Sequence, residues 1–344
     1  MPLNATGPIS LGGTTAGQSI QLELGGTGRT QISLNCATVR TLAGVASGQI
    51  AMPTNFYGKS SGPVPTGLFF GGSTNCAATS NIVTRINACG ALIGSQTNAG
   101  TIARNAGGAK VGANAMFYSG QRGASTVNSN LVTRINACGA LVGSETNVGS
   151  TRSGLAGATA GSVGLFYSST TATRINACGA LVGSQTIVGT SRAACGGATV
   201  GANAMFYGGS GSGGLSNLAT RINACGALVG SETNVGTARY YLPGATVGAN
   251  GLFYGGMTTP IGTFQNLATR INACGALVGS QTNVGTARGL LAGATAGSNG
   301  LFYGGFVAGF TTQNLVTRIN ACGALVGSQT NVGTARTQFS GAGL

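Results

Sequence analysis

The sequence contains no aspartate, histidine or tryptophan, and its only acidic residues are Glu23, Glu145 and Glu232. Catalytic triads, paired carboxylates and mixed metal sites all need side chains of these types. The three glutamates are far apart, and two of them stand where other repeats have glutamine, as at Gln185 and Gln281. We therefore predict a protein that is not an enzyme and that carries no metal and no other cofactor.

Charge and long apolar runs are also scarce. Only 6% of the residues are charged, against roughly a quarter in ordinary soluble domains. No stretch approaches eighteen uninterrupted apolar residues, and the first residues are neither basic nor apolar. The sequence predicts no membrane insertion and no secretion signal, and a surface that rests on threonine, serine, asparagine and glutamine.

What the chain does contain is a repeat. The string Thr-Arg-Ile-Asn-Ala-Cys-Gly-Ala-Leu occurs six times unchanged, and its arginines are spaced 49, 40, 47, 49 and 48 residues apart. A period near fifty residues favours propeller blades. The alternative is a parallel β-solenoid, whose coils are usually much shorter.

Each copy reads as four short strands separated by turns that contain glycine. In one copy they begin at Leu291 (small residues, suited to the crowded axis), Gly300 (bulky residues), Asn266 and Ser280. The last copy ends in a first strand at 337–344, and the first copy begins with a second strand at 65–72. Joined, the two fragments complete one blade. We predict an all-β, six-bladed propeller over 61–344 that is closed by strands from both ends.

Residues 1–60 lie outside the repeat, and we predict that they form a small α+β attachment module. Residues 19–24 and 30–34 alternate apolar and polar residues around Gly25–Gly28, which predicts a hairpin. Asn35 is placed to cap a helix over 37–43 that Gly44 closes. Prolines at 63 and 65 mark the boundary. So small a module is expected to dock on a partner.

The formal charge of +14 would ordinarily suggest a nucleic-acid partner. However, twelve of the fifteen arginines occupy two fixed repeat positions, so they are spread around a ring, and we predict no nucleic-acid binding. Their five donors suit backbone carbonyls at strand ends, and a ligand-binding role is the alternative. The first of the two positions, to which we assign a structural role, comprises Arg85, Arg134, Arg174, Arg221, Arg270 and Arg318.

Nine cysteines are present, and six of them share one repeat position, from Cys89 to Cys322. Equivalent positions on neighbouring blades should exceed the ~7 Å Cα separation that a disulfide tolerates. We predict small buried apolar residues in a reducing environment. The roles of Cys36, Cys76 and Cys195 are left open by the sequence.

The copies differ mainly between the second and third strands and after the Thr-Ala-Arg element. In an antiparallel blade both segments open on one face, and loops on a rigid scaffold commonly carry recognition. The alternative is that the loops vary in sequence without a binding role, because they contact nothing or pack within the assembly. The predicted binding residues are Arg122, Tyr240, Tyr241, Met257, Phe264, Phe306 and Phe310.

The string Gly-Leu-Phe-Tyr-Gly-Gly, followed by a variable loop, resembles the Kelch propeller pattern, although the usual tryptophan is missing and asparagine (Asn87, Asn272) replaces the usual acidic residue. Together with residues 32–35, 39–48 and 56–60, the chain resembles virion structural proteins of tailed bacteriophages, particularly those of cyanobacteria.

This resemblance implies a tail, baseplate or fibre component that is located in the virion and assembled in the host cytoplasm, in several copies per particle. Residues 1–60 would bind other virion proteins, and the propeller would bind a host-surface glycan or protein. The alternatives are an architectural subunit whose loop face binds viral proteins and, third, an enzyme acting on a surface glycan.

Overall fold

The computed structural model describes residues 3, 6, 8–12, 15, 18–24, 34, 37–45, 49–52, 54–56, 65–74, 79–122, 127–259 and 263–344. It divides into two compact units, Met1–Val64 with Ile93–Ser95 and Pro65–Leu92 with Gln96–Leu344. We call them the N-terminal unit and the propeller unit.

The N-terminal unit contains two short helices, α1 (Ile20–Glu23) and α2 (Ala37–Ala43), and a 3₁₀ turn (Thr54–Phe56). The predicted hairpin is wrong in its first strand, because the Ser19 hydroxyl accepts the Leu22 N–H at 3.3 Å and caps α1 instead. The helix over 37–43 is confirmed, and Gly44 closes it with φ 74°. Residues 30–33, Asn35, Cys36 and Cys76 lie outside the described residues.

The propeller unit is a six-bladed β-propeller, as predicted. Blades are numbered from the blade that contains Thr66, and strands run antiparallel from the axis outward. The innermost strands of blades 1 to 6 are Ser340–Gly343, Gly107–Val111, Ala156–Ala160, Gly196–Val200, Gly244–Val247 and Ala292–Ala296. The second strands are Thr66–Phe70, Asn114–Tyr118, the start of Val163–Ile175, Asn203–Tyr207, Asn250–Tyr254 and Asn299–Tyr303.

The third strands are Ser80–Asn87, Ser129–Ile135, the end of Val163–Ile175, Leu218–Ile222, Leu267–Ile271 and Leu315–Ile319. The outermost strands are Thr97–Arg104, Thr146–Arg152, Thr186–Arg192, Thr233–Asn234, Thr282–Asn283 and Thr330–Asn331. Gln121–Arg122 pairs with the end of Thr97–Arg104 and adds a short fifth strand to the sheet of blade 1. Two loops form short strand pairs of their own: Ser210–Gly211 with Gly214–Leu215, and Phe306–Val307 with Thr311–Thr312 around the 3₁₀ turn Ala308–Phe310. In blade 3 the abbreviated loop makes the second and third strands one bent strand.

Blade 1 takes its innermost strand from the far end of the chain. Ser340–Gly343 pairs antiparallel with Thr66–Phe70, with Leu68 opposite Ala342 and Phe69 opposite Gly341. The predicted closure is therefore confirmed, and it supplies blade 1 with the innermost strand that the other five blades also have.

Small residues let the six innermost strands approach one another around the axis. A Cβ built on Gly108 would lie 2.4 Å from the Gly341 carbonyl oxygen, and one built on Gly157 would lie 2.5 Å from that of Gly108. The same contact recurs around the ring at Gly197, Gly244, Gly293 and Gly341. Any larger residue at these positions would push two blades apart.

Aromatic pairs fill the space between successive blades. Tyr118 and Phe166 have ring centroids 5.3 Å apart, and the series closes where Tyr303 of blade 6 lies 5.3 Å from Phe69 of blade 1. The hydroxyls of the tyrosines in this series also reach the outermost strand of their own blade or the residues just after it, as Tyr254 does by donating to the Val284 carbonyl at 2.8 Å. One side chain thus contributes to packing between blades and to hydrogen bonding within a blade.

The two arginine positions have different environments. At the second position, Arg239, Arg288 and Arg336 are completely buried, and Arg288 donates to the carbonyls of Gly304 and Leu315 at 2.6 and 2.7 Å. The first position, which runs from Arg85 to Arg318, is half-buried and packs beneath the turn of the next blade. There Arg221 donates to the Ala273 carbonyl at 3.2 Å. Both positions contact backbone carbonyls, as expected of structural arginines.

The prediction that the six repeat cysteines are buried is wrong. All six are exposed, because the preceding asparagine organises the turn with its own side chain. In blade 2 the Asn136 Oδ1 accepts the N–H groups of Cys138 and Ala140, both at 3.0 Å, and the cysteine side chain is left on the outside. Among the described cysteines Cys195 is the buried one, and its Sγ donates to the Gly208 carbonyl at 3.3 Å.

Candidate recognition face

The two kinds of variable segment lie on one face of the ring, which we call the variable face. The crossing segment at Tyr240 exchanges two backbone hydrogen bonds with the loop at Met257, at 3.1 and 2.9 Å. Gly289 and Phe306 do the same in the next blade, at 3.1 and 2.8 Å. The Ala-Cys-Gly turns join the other ends of the strands, and we call that side the repeat face.

Three of the seven predicted binding residues, Phe264, Phe306 and Phe310, form one aromatic cluster across blades 5 and 6. Phe310 lies 5.7 Å from Phe264 and 5.8 Å from Phe306, centroid to centroid, in edge-to-face geometry. Tyr240 and Tyr241 form a second pair at 4.7 Å. The cluster therefore combines side chains from loops that are distant in sequence.

The predicted binding residues around this cluster are not equally exposed. Phe310 is 53% exposed, whereas Met257 and Phe306 are each only 4% exposed. Tyr240, Tyr241 and Phe264 are half-buried. Met257 and Phe306, predicted as exposed anchors, instead support the loop backbone from below.

The prediction that Arg122 is a binding residue on the variable face is also wrong, because its side chain is buried. It donates to the Thr101 carbonyl at 3.0 Å and to the Thr133 hydroxyl at 3.2 Å, and it lies 3.6 Å from Glu145. Arg104 would be expected to fill this position by analogy with the other blades, but its Nε binds the Gln121 side chain at 2.9 Å. Arg122 is thus a substitute structural arginine, and burial lowers its pKa to about 10 despite the nearby Glu145.

The two repeat glutamates also serve the contacts between blades. Glu232 accepts hydrogen bonds from the backbone N–H and the hydroxyl of Thr190 in the preceding blade, at 3.0 and 2.5 Å. It lies 3.4 Å from Arg192. Burial by itself would raise the pKa of Glu232, but the hydrogen bonds from Thr190 and Thr220 and the charge of Arg192 lower the pKa overall. These carboxylates are committed to the scaffold.

Sequence reasoning missed a ring of residues at the axis, just before the innermost strands. Each residue donates its backbone N–H to the carbonyl of its counterpart in the preceding blade, at distances of 2.7 to 3.1 Å, and the series closes on itself. We call this set the axial ring: Asn105, Gly154, Ala194, Tyr241, Leu290 and Gln338. The sequence signal for this ring was a single repeat position that carries a different residue in each of the six copies.

The axial ring has left-handed backbone conformations, with φ between 52° and 66°. Of the eight described non-glycine residues with positive φ, five belong to this ring. Gly154 adopts the same conformation without a Cβ. A left-handed conformation costs a non-glycine residue roughly 1–2 kcal/mol, so five side chains are retained here at a cost in stability.

A small pocket of about 80 Å³ lies against the axial ring. Its lining includes Asn105, Tyr241, Leu290 and Gln338, together with the small residue Ala194. The Gln338 side-chain oxygen is buried and accepts no hydrogen bond from the described residues. We call this the axial pocket.

A larger channel of about 610 Å³ is lined by all six innermost strands. The threonine hydroxyls on its wall are already used between blades. The Thr199 hydroxyl donates to the Thr159 carbonyl at 3.0 Å and accepts the Thr159 N–H at 2.9 Å. Lys110 is the one charged side chain in the described lining. The wall of this channel is part of the scaffold and carries no cluster of available polar groups.

Within the described part of the chain, no three histidine, cysteine, aspartate or glutamate side chains come close enough to hold a metal ion. The helices of that part are all too short to cross a membrane. No protein-family model matches the sequence, and a search of curated proteins finds no match. The six-bladed propeller is thus shown by the structure, and the phage resemblance stays a prediction.

Proposed function

We propose that this protein is a non-enzymatic structural component of a tailed-bacteriophage tail, baseplate or fibre. In this proposal the N-terminal unit attaches to other virion proteins, and the variable face of the propeller binds the surface of the host cell.

The observation that carries the proposal is the contrast between the two faces. On the repeat face the turn string Ala-Cys-Gly-Ala-Leu, whose cysteine is exposed, is identical in all six blades. On the variable face every loop differs in sequence, and hydrogen bonds hold the loops of blades 5 and 6 against neighbouring crossing segments. Rigidly supported loops of diverse sequence are typical of recognition surfaces.

The aromatic cluster gives this face a contact centre. An aromatic side chain brings a large contact area at low conformational cost, and Phe310 is 53% exposed on top of the buried Phe306. Because the loop beneath it is fixed, Phe310 loses little freedom when a partner binds.

The architectural alternative draws on the same residue. An exposed phenylalanine also suits the apolar core of a protein–protein contact, so the variable face would then bind another viral protein. Binding to cells and binding to virion proteins are separate measurements, and they distinguish the two functions.

The test is binding of labelled protein to a panel of cyanobacterial cells and to their isolated surface polysaccharides. Phe310→Ser is the test variant, and Leu277→Ser is its control, because Leu277 is 38% exposed on the repeat face. We expect Phe310→Ser to weaken binding by about tenfold or more and Leu277→Ser to leave it unchanged. Equal binding by both variants contradicts the proposal, and binding to purified virion proteins alone supports the architectural alternative.

A further inference from the structure

We propose that the axial pocket is the binding site for one neutral sugar unit. This inference rests on the proposed function, since the sugar would belong to the host surface, and it gives that function a site and a ligand class.

The first argument is the distribution of strained residues. This chain has 64 glycines, and most described residues with positive φ are glycine. In the axial ring, however, five of six positions carry a side chain in the left-handed conformation. Glycine at Gly154 makes the same backbone hydrogen bonds, so the ring itself does not require these side chains. Strain retained in one place is typical of functional sites.

The second argument is the chemistry of the lining. Asn105 and Gln338 are neighbours in the ring and supply two amide side chains, which can both donate to and accept from hydroxyl groups. The Gln338 oxygen is buried without a partner in the described residues. Tyr241, across the ring from Asn105, and Leu290, next to Gln338, supply apolar surface against which the C–H groups of a sugar can pack. An apolar wall with a few polar groups is usual for small-ligand sites.

Charge and size define the ligand further. The described lining contains no charged side chain, so nothing in it would balance a carboxylate, sulfate or phosphate, and a neutral ligand is favoured. A volume of about 80 Å³ holds roughly two or three water molecules at about 30 Å³ each. It therefore fits the hydroxyl-bearing edge of one sugar ring, with the remainder of the ring against Tyr241. Gly154 and Ala194 place no large side chain on their part of the lining, so a longer glycan chain would extend from the pocket on that side.

The test uses glycine variants, which separate a binding role from a structural one. Gln338→Gly and Asn105→Gly relieve the left-handed strain and remove the amides, while Ala194→Gly relieves the strain and leaves both amides in place. Binding is measured by saturation-transfer NMR and titration with methyl glycosides of glucose, galactose and mannose, with N-acetylneuraminic acid as the charged comparison. Thermal midpoints are recorded for every variant.

We expect at least one neutral glycoside to bind the wild-type protein and the charged sugar not to bind. Gln338→Gly and Asn105→Gly should keep or raise the thermal midpoint and weaken binding about tenfold, as the loss of one hydrogen bond predicts. Ala194→Gly should raise the midpoint and leave the binding constant unchanged.

The proposal is overturned if none of the neutral glycosides binds at about 20 mM, a concentration that detects millimolar dissociation constants. It is also overturned if the amide variants bind as the wild type does, or if they lose stability, which would make the amides structural. If the sugar-binding test fails but Phe310-dependent binding to cells is retained, the proposed function is still supported. Sugar binding without any cell-surface binding supports the pocket and contradicts the proposed function.

Discussion

Buried arginines are prominent at the residue scale. Arg239, Arg288 and Arg336 are fully enclosed, and their described hydrogen bonds go to backbone carbonyls and threonine hydroxyls. Burial lowers the pKa of all three, since the charged form is the one that loses hydration. Each guanidinium lies in the segment that crosses to the next blade and donates to the loop and third strand of that blade, so its removal leaves a buried glycine carbonyl without its described donor.

Arg288→Met should therefore destabilise the protein by roughly 2–4 kcal/mol, because the buried Gly304 carbonyl loses its described donor and the Thr317 hydroxyl loses its bond from the guanidinium. Arg270→Met is the control, since Arg270 is half-buried and its described bond to Ala321 is long, at 3.4 Å. The control should lose less than about 1 kcal/mol. Urea unfolding measures both, and equal losses would argue against the special role of the buried position.

The ionised Glu232 side chain should contribute a part of the stability that is lost in acid. Its folded pKa is lowered, so the stabilisation that it contributes is present above its unfolded pKa and is lost as the pH falls through the folded pKa. Gln281 fills the same position in the next blade, so Glu232→Gln should fold normally. The thermal midpoint of this variant should fall less than that of the wild type between about pH 6 and pH 3. Parallel pH profiles would show that Glu232 does not contribute.

Cysteine reactivity provides a direct check of side-chain placement. Burial raises the pKa of Cys195 to about 11, so at pH 8 it is both inaccessible and protonated. Iodoacetamide should modify the repeat cysteines of the native protein, Cys138 to Cys322, and should modify Cys195 only after denaturation. Peptide mass spectrometry gives the result, and rapid native labelling of Cys195 would contradict the structure.

At the scale of elements, the sequence predicts strands and their order well. Small residues mark the innermost strands, bulky residues mark the second, and the split copy at the two ends identifies the closing blade, as the pairing of Leu68 with Ala342 confirms.

The sequence predicts turns and rings less well. The exposed cysteines follow from asparagine side chains that bind backbone N–H groups, and the same Cys-containing string is equally compatible with burial. The axial ring depends on hydrogen bonds between residues roughly fifty positions apart, which no local pattern reveals.

The closing strand yields the element-scale prediction. Deletion of residues 340–344 removes the innermost strand of blade 1 and the buried Ala342, and it uncovers an inner edge on Thr66–Phe70. We expect a loss of at least about 3 kcal/mol, measured as a lower denaturant midpoint. Ala342→Gly, which keeps the strand, should retain most of the stability. An unchanged midpoint after the deletion would show that the ring does not need its last strand.

At the scale of the whole molecule, closure explains why one face can vary. Three sets of contacts close around the ring: the aromatic pairs, the glycine contacts at the axis and the backbone bonds of the axial ring. Because these contacts lie beneath the loops, the loops can change in sequence without changing the arrangement of the blades. The proposed recognition function requires this separation between a repeated scaffold and a variable surface.

Hydrogen–deuterium exchange tests the central claim most directly, with the protein free and then bound to surface polysaccharide from a cell that it recognises. The account predicts slower exchange in the loops of the variable face, at residues 208–216 and 305–313, and in the axial ring. The Ala-Cys-Gly turns of the repeat face should exchange at unchanged rates. Protection of those turns, with the variable loops unaffected, would contradict it.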